Sequence, residues 1–241
     1  MTLPQTIWSG ENDFALFKKS VPIGSQDIWK AFYHLHKDKI QVQKEEVAIE
    51  KLRVIIKATF KLSNQKGFSL MSLRDLSKTT NMSMGSLYNY IGSKSQLAEM
   101  VHQFLPHVFD TCIGEQITED DMPDQKLEKL VRGHVFISEA LQPWFFFAFM
   151  ETKHLSRAVK RLAKNNELRS EQLMEEFIAQ GVALNIYQPC NLFLSSMMIK
   201  ALLQNWYVKH GKYRSSQTSC EDYLSFIEQV INKQLKVVDN D

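Results

Sequence analysis

Tyr88, Tyr90 and Lys94 are the side chains whose types and spacing suit contacts with an anionic partner. Phenol and ammonium groups both donate hydrogen bonds to phosphate oxygens. The two tyrosines are two residues apart, so on one helix they point about 200° apart and cannot both lie in a core. Lys94 opens a helix, where the helix dipole favours anions, so a phosphate partner explains it better than the dipole does. Core packing of a tyrosine and a solvated lysine are the alternatives.

The elements around these residues have the order of a helix-turn-helix. A support helix over residues 73–80 is followed by a turn at 81–83 and a recognition helix over 84–91. The recognition helix has only about two turns, so its N-terminal end suits insertion into the major groove of DNA. Its small residues Gly85 and Ser86 let the backbone approach a duplex closely.

Capping residues define the ends of these helices. Ser72 stands three residues before Asp75, which is the spacing of a capping box. Asn81 tolerates the left-handed backbone that a tight turn needs, and Ser83 can cap the recognition helix. Residues 72–92 therefore predict a helix-turn-helix.

The same stretch resembles the TetR family of bacterial transcriptional regulators. The family pattern joins a glycine-aromatic helix end and a hydroxyl cap to a G-V-S-x-G-x-L-Y turn and recognition helix, followed by S-K-x-x-L. The residues in register are Gly67, Phe68, Ser72, Leu76, Ser83, Gly85, Leu87, Tyr88, Tyr90, Ser93, Lys94 and Leu97. Five positions depart from the family pattern but keep the size and role of the family residue. They are Met71 for Thr, Ser77 and Thr80 for Ala, Asn81 for Gly and Ile91 for Phe. The resemblance is specific over residues 47–105.

This resemblance implies a role for each candidate DNA-binding residue. The positions that contact the phosphate backbone in the family are Ser72, Tyr88, Tyr90 and Lys94. The positions that face bases are Met84, Gly85, Ser86 and Asn89, and Ser83 completes the set as the helix cap. Phosphate contacts supply affinity and salt dependence, whereas contacts of the recognition helix supply specificity.

Few helix breakers and repeated helical periodicity predict an all-α protein, since the 241 residues include only 9 Gly and 6 Pro. We expect a three-helix helix-turn-helix DNA-binding domain over residues 44–105 and a larger helical effector-binding and dimerisation domain over 106–241. Before them, an irregular arm over residues 1–24 and an extra helix form an N-terminal segment, 1–43. Further helices are predicted at residues 47–66, 94–109, 125–141, 143–154, 156–180, 189–210 and 220–237.

Aromatic side chains are frequent in the N-terminal segment. We expect five of them to dock on the protein surface or on a partner subunit: Trp8, Phe14, Phe17, Trp29 and Phe32.

A run of aromatic residues over 144–150 surrounds its helix completely, which predicts burial on most sides. Plain core is one interpretation, and the wall of an apolar effector cavity, as in the family's C-terminal domain, is the other. The candidate pocket residues are Phe109, His134, Phe136, Phe145, Phe149, Met197 and Trp206. Such a cavity suits a long apolar effector such as a fatty acyl thioester. Arg132 and His134 could meet an acidic head group, although a structural role is favoured for both.

The last two long helices carry more apolar residues than one narrow face requires. By resemblance to the family, they pair with their mates in a four-helix homodimer interface. A symmetric dimer places two recognition helices on a near-palindromic operator of double-stranded DNA.

Charge is concentrated around the motif. Residues 44–105 carry nine basic and five acidic residues, a net charge of +4, while the whole chain carries only +2 and the remainder therefore −2. The asymmetry is modest but has the sign that a DNA-binding segment needs.

The sequence gives little support for a disulfide-rich, enzymatic, secreted or membrane protein. Cys112, Cys190 and Cys220 are widely separated, which favours a reduced cytosol over a disulfide framework. The sequence lacks metal-binding and catalytic motifs, so we expect no enzyme activity, metal or cofactor. The start lacks a signal peptide, and the longest strongly apolar run, 143–150, is too short to cross a bilayer. We therefore expect a cytoplasmic protein without a membrane partner.

Two functional hypotheses follow. The first is a DNA-binding transcriptional repressor that an apolar small-molecule effector releases. The second is an effector-independent, DNA-bound interaction protein of the same fold, such as a nucleoid-occlusion type factor. A filled core around residues 145–149 favours the second hypothesis, and an open apolar tunnel favours the first.

Overall fold

A computed structural model describes residues 8–152 and 155–236, which form twelve α-helices. The helices are α1 (Phe14–Ser20), α2 (Ser25–Leu35), α3 (Glu45–Lys66), α4 (Leu73–Thr80), α5 (Met84–Tyr88), α6 (Lys94–Cys112), α7 (Pro123–Ala140), α8 (Gln142–Glu151), α9 (Arg157–Ala183), α10 (Leu192–Val208), α11 (His210–Ser215) and α12 (Cys220–Leu235). Within these described ranges there is no β-strand, only an isolated bridge between Tyr187 and Lys236. The predicted all-α fold is confirmed.

Contacts divide the chain into two compact units of opposite charge. The basic unit comprises residues 23–108 and 143–164, and it contains 17 Lys and Arg against 8 Asp and Glu, a net charge of +9. The acidic unit comprises residues 1–22, 109–142 and 165–241, with 12 basic and 19 acidic residues, a net charge of −7. The domains predicted from the sequence are continuous segments of the chain, whereas each compact unit combines separate segments. The predicted domain boundaries stay a prediction.

An aromatic cluster forms the core of the basic unit. The Trp144 ring lies 5.3 Å from Trp29, 5.2 Å from Phe32, 5.2 Å from Phe60 and 5.0 Å from Phe104, measured between ring centroids. Its edge-to-face and tilted geometries are those that aromatic pairs prefer. The extra helix α2 therefore belongs to this core, where it packs against α3. The predicted docking of Trp29 and Phe32 is confirmed.

The N-terminal arm packs into the acidic unit. Trp8 and Phe17 are buried, with ring centroids 4.9 Å apart, and Phe136 of α7 lies 5.3 Å from Phe17 and 5.5 Å from Phe14. The Trp8 amide donates to Gln116 Oε1 at 2.8 Å. These contacts confirm the predicted docking of the three arm aromatics.

Part of the arm is helical, so the prediction of an irregular segment is wrong over α1. The Asp13 carboxylate caps α1 by accepting from the Leu16 amide at 2.8 Å. A seven-residue helix with Phe17 buried is too short to show a periodic apolar stripe in the sequence. Residues 1–7 of the predicted arm and residues 153–154 of a predicted helix lie outside the described residues.

Neither a membrane-spanning helix nor a metal-binding cluster is found among the described residues. No helix there is both long and apolar enough to cross a membrane. Likewise, no group of three or more His, Cys, Asp or Glu residues in these ranges could hold a metal ion.

Candidate nucleic-acid interface

The support helix α4 begins with a complete capping box. The Asp75 amide donates to Ser72 Oγ at 3.2 Å, and the Ser72 amide donates to Asp75 Oδ2 at 2.8 Å. Lys66, at the end of α3, pairs with the same carboxylate at 2.6 Å. Hydrogen bonds from Lys66 and then Ser72 hold the pKa of Asp75 well below its usual range. Gly67 ends α3 with a φ of 80°, a left-handed region that favours glycine.

A tight turn connects α4 to the recognition helix α5. Asn81 has the predicted left-handed backbone, with φ 54° and ψ 37°. The Met82 amide donates to the Ser77 carbonyl at 3.1 Å, and the Ser77 hydroxyl donates to the Met82 carbonyl at 2.6 Å. Ser83 caps α5 by accepting from the Ser86 amide at 3.1 Å. The support helix, the turn and the capped start of the recognition helix are therefore present as predicted. The recognition helix itself ends at Tyr88 and not at residue 91, because the Asn89 amide turns back to the Ser86 carbonyl at 3.3 Å.

The recognition helix has one buried side and one exposed side. Leu87 is fully buried and holds α5 in the unit, whereas Gly85, Tyr88 and Asn89 are exposed. Met84 and Ser86 are half-buried, and Ser72 and Ser83 are exposed. The candidate DNA-binding residues thus include a surface of small and polar groups at the edge of the basic unit.

Tyr88 and Tyr90 have different environments, as their spacing predicts. Tyr88 is 47% exposed, while Tyr90 is only 4% exposed. Burial raises the pKa of the Tyr90 phenol. Of the two, Tyr88 is the one that exposes much of its side chain to a partner.

Nothing among the described residues requires a glycine at position 85. A Cβ added there would meet no atom within 4 Å, and its φ lies outside the left-handed region. Glycine inside a helix costs about 0.5–1 kcal/mol relative to alanine. An external partner that approaches the backbone closely gives this position a reason to lack a side chain.

Lys94 has an internal role that the sequence did not reveal. Its Nζ donates to the carbonyls of Phe68, Ser69 and Met71, each at 2.9 Å, and lies 5.1 Å from the centroid of the Phe68 ring. These bonds tie the start of α6 to the loop between α3 and α4. Partial burial lowers the pKa of this ammonium, and the Glu151 carboxylate raises it. A phosphate contact by Lys94 remains a prediction.

The segment before α3 braces the recognition helix, which sequence reasoning missed. The Gln41 amide donates to the Asn89 carbonyl at 2.9 Å, immediately after α5. Nearby, Lys39 Nζ donates to Gln103 at 3.0 Å, and His36 Nε2 lies 3.1 Å from the Met100 carbonyl. A backbone contact such as that of Gln41 leaves no signal in residue type.

The predicted effector residues are distributed over both units. Phe109, His134, Phe136, Met197 and Trp206 belong to the acidic unit, and Phe145 and Phe149 to the basic unit. Within the acidic unit, the structure brings Phe109 to 6.2 Å from the His134 ring. Phe136 instead joins the arm cluster around Phe17.

Trp206 and Met197 both lie on α10, but Trp206 is buried and Met197 is exposed. The buried Trp206 indole donates to Glu139 Oε2 at 3.1 Å, and His210 Nε2 lies 2.9 Å from the same oxygen. Met197 is 38% exposed. In the basic unit, Phe145 is half-buried and Phe149 is 45% exposed.

Two basic residues of the acidic unit concern the predicted contact with an acidic head group. Arg132 pairs with Glu228 and donates to the Gly10 carbonyl at 2.6 Å, so its favoured structural role is confirmed. Lys200, which sequence reasoning missed, is buried on α10 and donates to the Ser170 hydroxyl. Burial lowers the pKa of the Lys200 ammonium, while Glu167 and Glu171 raise it.

Comparisons with known proteins agree with the fold and the motif. The family model for bacterial regulatory proteins of the tetR family matches residues 55–101. The HTH-type transcriptional regulator HbdR of Aromatoleum sp. (strain CIB) is 23% identical over 164 residues, which cover 68% of this chain and 72% of that protein.

Solved structures share the fold at low sequence identity. The ketosteroid transcriptional regulator KstR2 of Mycobacterium tuberculosis matches with a TM-score of 0.70 and 11% identity, covering 83% of this chain and 100% of its own. AibR in complex with isovaleryl coenzyme A and operator DNA matches with a TM-score of 0.64 and 13% identity, covering 76% and 97%. The motif geometry, the family model and the curated relative agree that residues 55–101 form a helix-turn-helix like that of the tetR-family transcriptional regulators.

Proposed function

We propose that the protein is a homodimeric repressor that binds a near-palindromic operator and releases it when an apolar small molecule binds. The single observation that carries the DNA contact is the exposed edge of α5. There, a glycine without any internal steric requirement lies among small and polar groups, in a unit of net charge +9. Such a protein acts where the chromosome is, in the cytoplasm.

The contacts are assigned as the family register suggests. Phosphate contacts go to Ser72, Tyr88, Tyr90 and Lys94, base contacts to Met84, Gly85, Ser86 and Asn89, and Ser83 fixes the helix start. Tyr90 is only 4% exposed, so we assign its phosphate contact to the hydroxyl group alone. Lys94 needs to exchange one of its three carbonyl partners to reach a phosphate.

Exposed apolar side chains on α10 and α12 support a homodimer. These two helices pack on each other, and Phe193, Leu194 and Phe226 are 59%, 61% and 60% exposed. Met197 lies one turn from Leu194, so it fits this surface better than a pocket. Large apolar groups left in water favour association. A two-fold axis through this surface presents two copies of α5 to the two half-sites of an operator.

Several features of the acidic unit support an effector site there. Phe109, His134 and Trp206 supply aromatic surface, and the buried Lys200 supplies a cation for an acidic group. AibR binds isovaleryl coenzyme A, which is an acyl thioester, and KstR2 is described as a ketosteroid regulator. An apolar acyl thioester is therefore the effector class that we propose. It releases DNA only if it binds the DNA-incompetent state of the dimer more tightly.

The alternative is an effector-independent, nucleoid-occlusion type protein. One observation favours it: Phe147 is 2% exposed and packs against Phe60 and Phe68, with centroid distances of 5.4 and 5.1 Å. Trp144 is also buried in the core of the basic unit. At least two members of the aromatic run thus serve as core.

Selection from a random duplex library tests the proposed function. We expect an inverted repeat whose half-site centres are separated by about one helical turn or a multiple of it. The double variant Leu194→Glu, Phe226→Glu should sediment as a monomer and bind this operator far more weakly, with Lys209→Glu, Lys212→Glu as the charge-matched control. Recovery of a single asymmetric site, or a variant that stays dimeric, contradicts the proposal.

An effector panel separates the two candidate functions. Isovaleryl coenzyme A, longer acyl thioesters and a ketosteroid are tested for a rise in Tm and for release of the selected operator. A repressor of the proposed kind responds to at least one class with both effects. If one class does so, Lys200→Met should reduce the response to acidic ligands more than to neutral ones. No response to any compound favours the nucleoid-occlusion type.

A further inference from the structure

A second basic surface lies in the same unit as the helix-turn-helix. The first two turns of α9 carry Arg157, Lys160, Arg161 and Lys164 at helical spacings of three, four and seven residues. All four side chains are exposed. Residues at these spacings share one side of a helix, so the four charges form a single basic stripe.

Nothing in the described part of the chain neutralises this stripe. Ion pairs with Asp or Glu within 4.0 Å are found for Lys66, Lys129 and Arg132 among others, but for none of the four stripe residues within residues 8–152 and 155–236. In the sequence, no Asp or Glu occurs between Glu151 and Glu167. Four like charges on one side of a helix repel one another by about 0.2–0.5 kcal/mol per neighbouring pair. A polyanionic partner relieves this repulsion.

The stripe is connected to the helix-turn-helix through α8. Glu151, at the end of α8, accepts a hydrogen bond from the Ser63 hydroxyl of α3 at 2.6 Å, and its charge acts on Lys94. Arg157 follows six residues later, and six extended residues span at most about 20 Å. The stripe therefore starts within about 20 Å of Glu151, which lies where α3, the loop between α3 and α4, and the start of α6 meet.

We propose that this stripe is a second contact with DNA phosphates, outside the helix-turn-helix. The proposal rests on DNA binding by the helix-turn-helix. From Arg157 to Lys164 the helix rises about 10 Å, which corresponds to about three phosphate steps along one strand of duplex DNA. As a set of phosphate contacts, the stripe carries no direct sequence information. It adds affinity and salt dependence for DNA beside the segment that α5 contacts.

The test is the salt dependence of binding to a 40-base-pair duplex of mixed sequence, measured by fluorescence anisotropy. The variant is Lys160→Gln, Arg161→Gln, Lys164→Gln in the full chain. The matched control is Lys209→Gln, Lys212→Gln, Arg214→Gln, which removes two lysines and one arginine from exposed positions of the acidic unit. Circular dichroism and Tm confirm that both variants stay folded.

The stripe variant should lower the slope of log Kd against log salt by about 0.9 for each lost phosphate contact, so by about two to three in all. Its Kd at 50 mM salt should rise at least about tenfold, whereas the control keeps the wild-type slope. Equal slopes for variant and control overturn the proposal. So does a stripe variant that binds DNA normally but no longer binds anionic phosphatidylglycerol vesicles. If the wild-type chain itself binds no duplex, the proposed function fails instead.

Discussion

The two units of this protein divide the chemistry between them by charge and by exposed surface. The basic unit carries +9 and exposes small and polar groups around α5, whereas the acidic unit carries −7 and exposes large apolar groups on α10 and α12. A net charge of only +2 for the whole chain conceals this contrast. In the proposed function, the first surface meets phosphate-rich DNA and the second meets another copy of the chain.

The largest effect is expected in the aromatic core of the basic unit. Phe32 is fully buried and contacts Phe104 and Trp144, so Phe32→Ala should cost about 3–5 kcal/mol of unfolding free energy. Chemical denaturation measures the loss. Leu35→Ala, on the same helix at a residue 37% exposed, is the control and should cost much less. Similar losses for the two variants would show that α2 is not part of this core.

Lys94 should give the next largest effect, because its ammonium satisfies three carbonyl groups. Lys94→Met removes all three hydrogen bonds, and we expect a loss of about 2 kcal/mol of stability. The salt dependence of DNA binding then separates its two roles. A phosphate contact lowers the slope of log Kd against log salt by about 0.9, and a purely internal role leaves the slope unchanged.

Acid should destabilise the basic unit through two buried histidines. Burial lowers the pKa of His36 to about 4, with a contribution from the charge of Lys39, and burial lowers that of His102 to about 4. Both rings are therefore neutral when folded and take up protons on unfolding, where the pKa is 6.5. Stability is fully present above pH 6.5 and falls as the pH drops from about 6.5 towards 4. Each histidine contributes up to about 1.4 kcal/mol per pH unit.

Denaturation between pH 7 and 4.5 measures this dependence. His36→Gln should remove one histidine's share of the slope and leave the share of His102 in place. An unchanged slope in His36→Gln would show that the ring is not neutral in the fold.

The sequence predicted those parts of the molecule that depend on local residue types. Asn81, Ser72 and Ser83 specify a turn and two helix starts by their own backbone preferences, and the structure has all three as expected. The internal role of Lys94 could not be predicted, because its ammonium binds backbone carbonyls 23 to 26 residues earlier in the chain. Every residue has a backbone carbonyl, so residue types do not indicate which carbonyls a distant lysine contacts.

The predicted effector residues show more clearly what sequence patterns leave undecided. The aromatic run predicted burial, yet Trp144 and Phe147 are core while Phe149 is 45% exposed. On α10 and α12, apolar side chains occur on both the inner and the outer side, so composition alone could not separate Ile199 and Ile227, which are buried, from Leu194 and Phe226. Assigning an apolar residue to the core, a pocket or a subunit interface requires knowing which helices pack on which.

The most direct test of DNA binding through α5 is the smallest change, Gly85→Ala. Because a Cβ there meets no atom of the described residues within 4 Å, the variant should gain about 0.5–1 kcal/mol of stability and yet bind the selected operator roughly tenfold more weakly. Gly211→Ala is the matched control, since a Cβ at Gly211 also meets nothing within 4 Å; it should gain stability and keep its affinity. A Gly85→Ala protein that is more stable and binds the operator as tightly as the control would contradict contact between α5 and DNA.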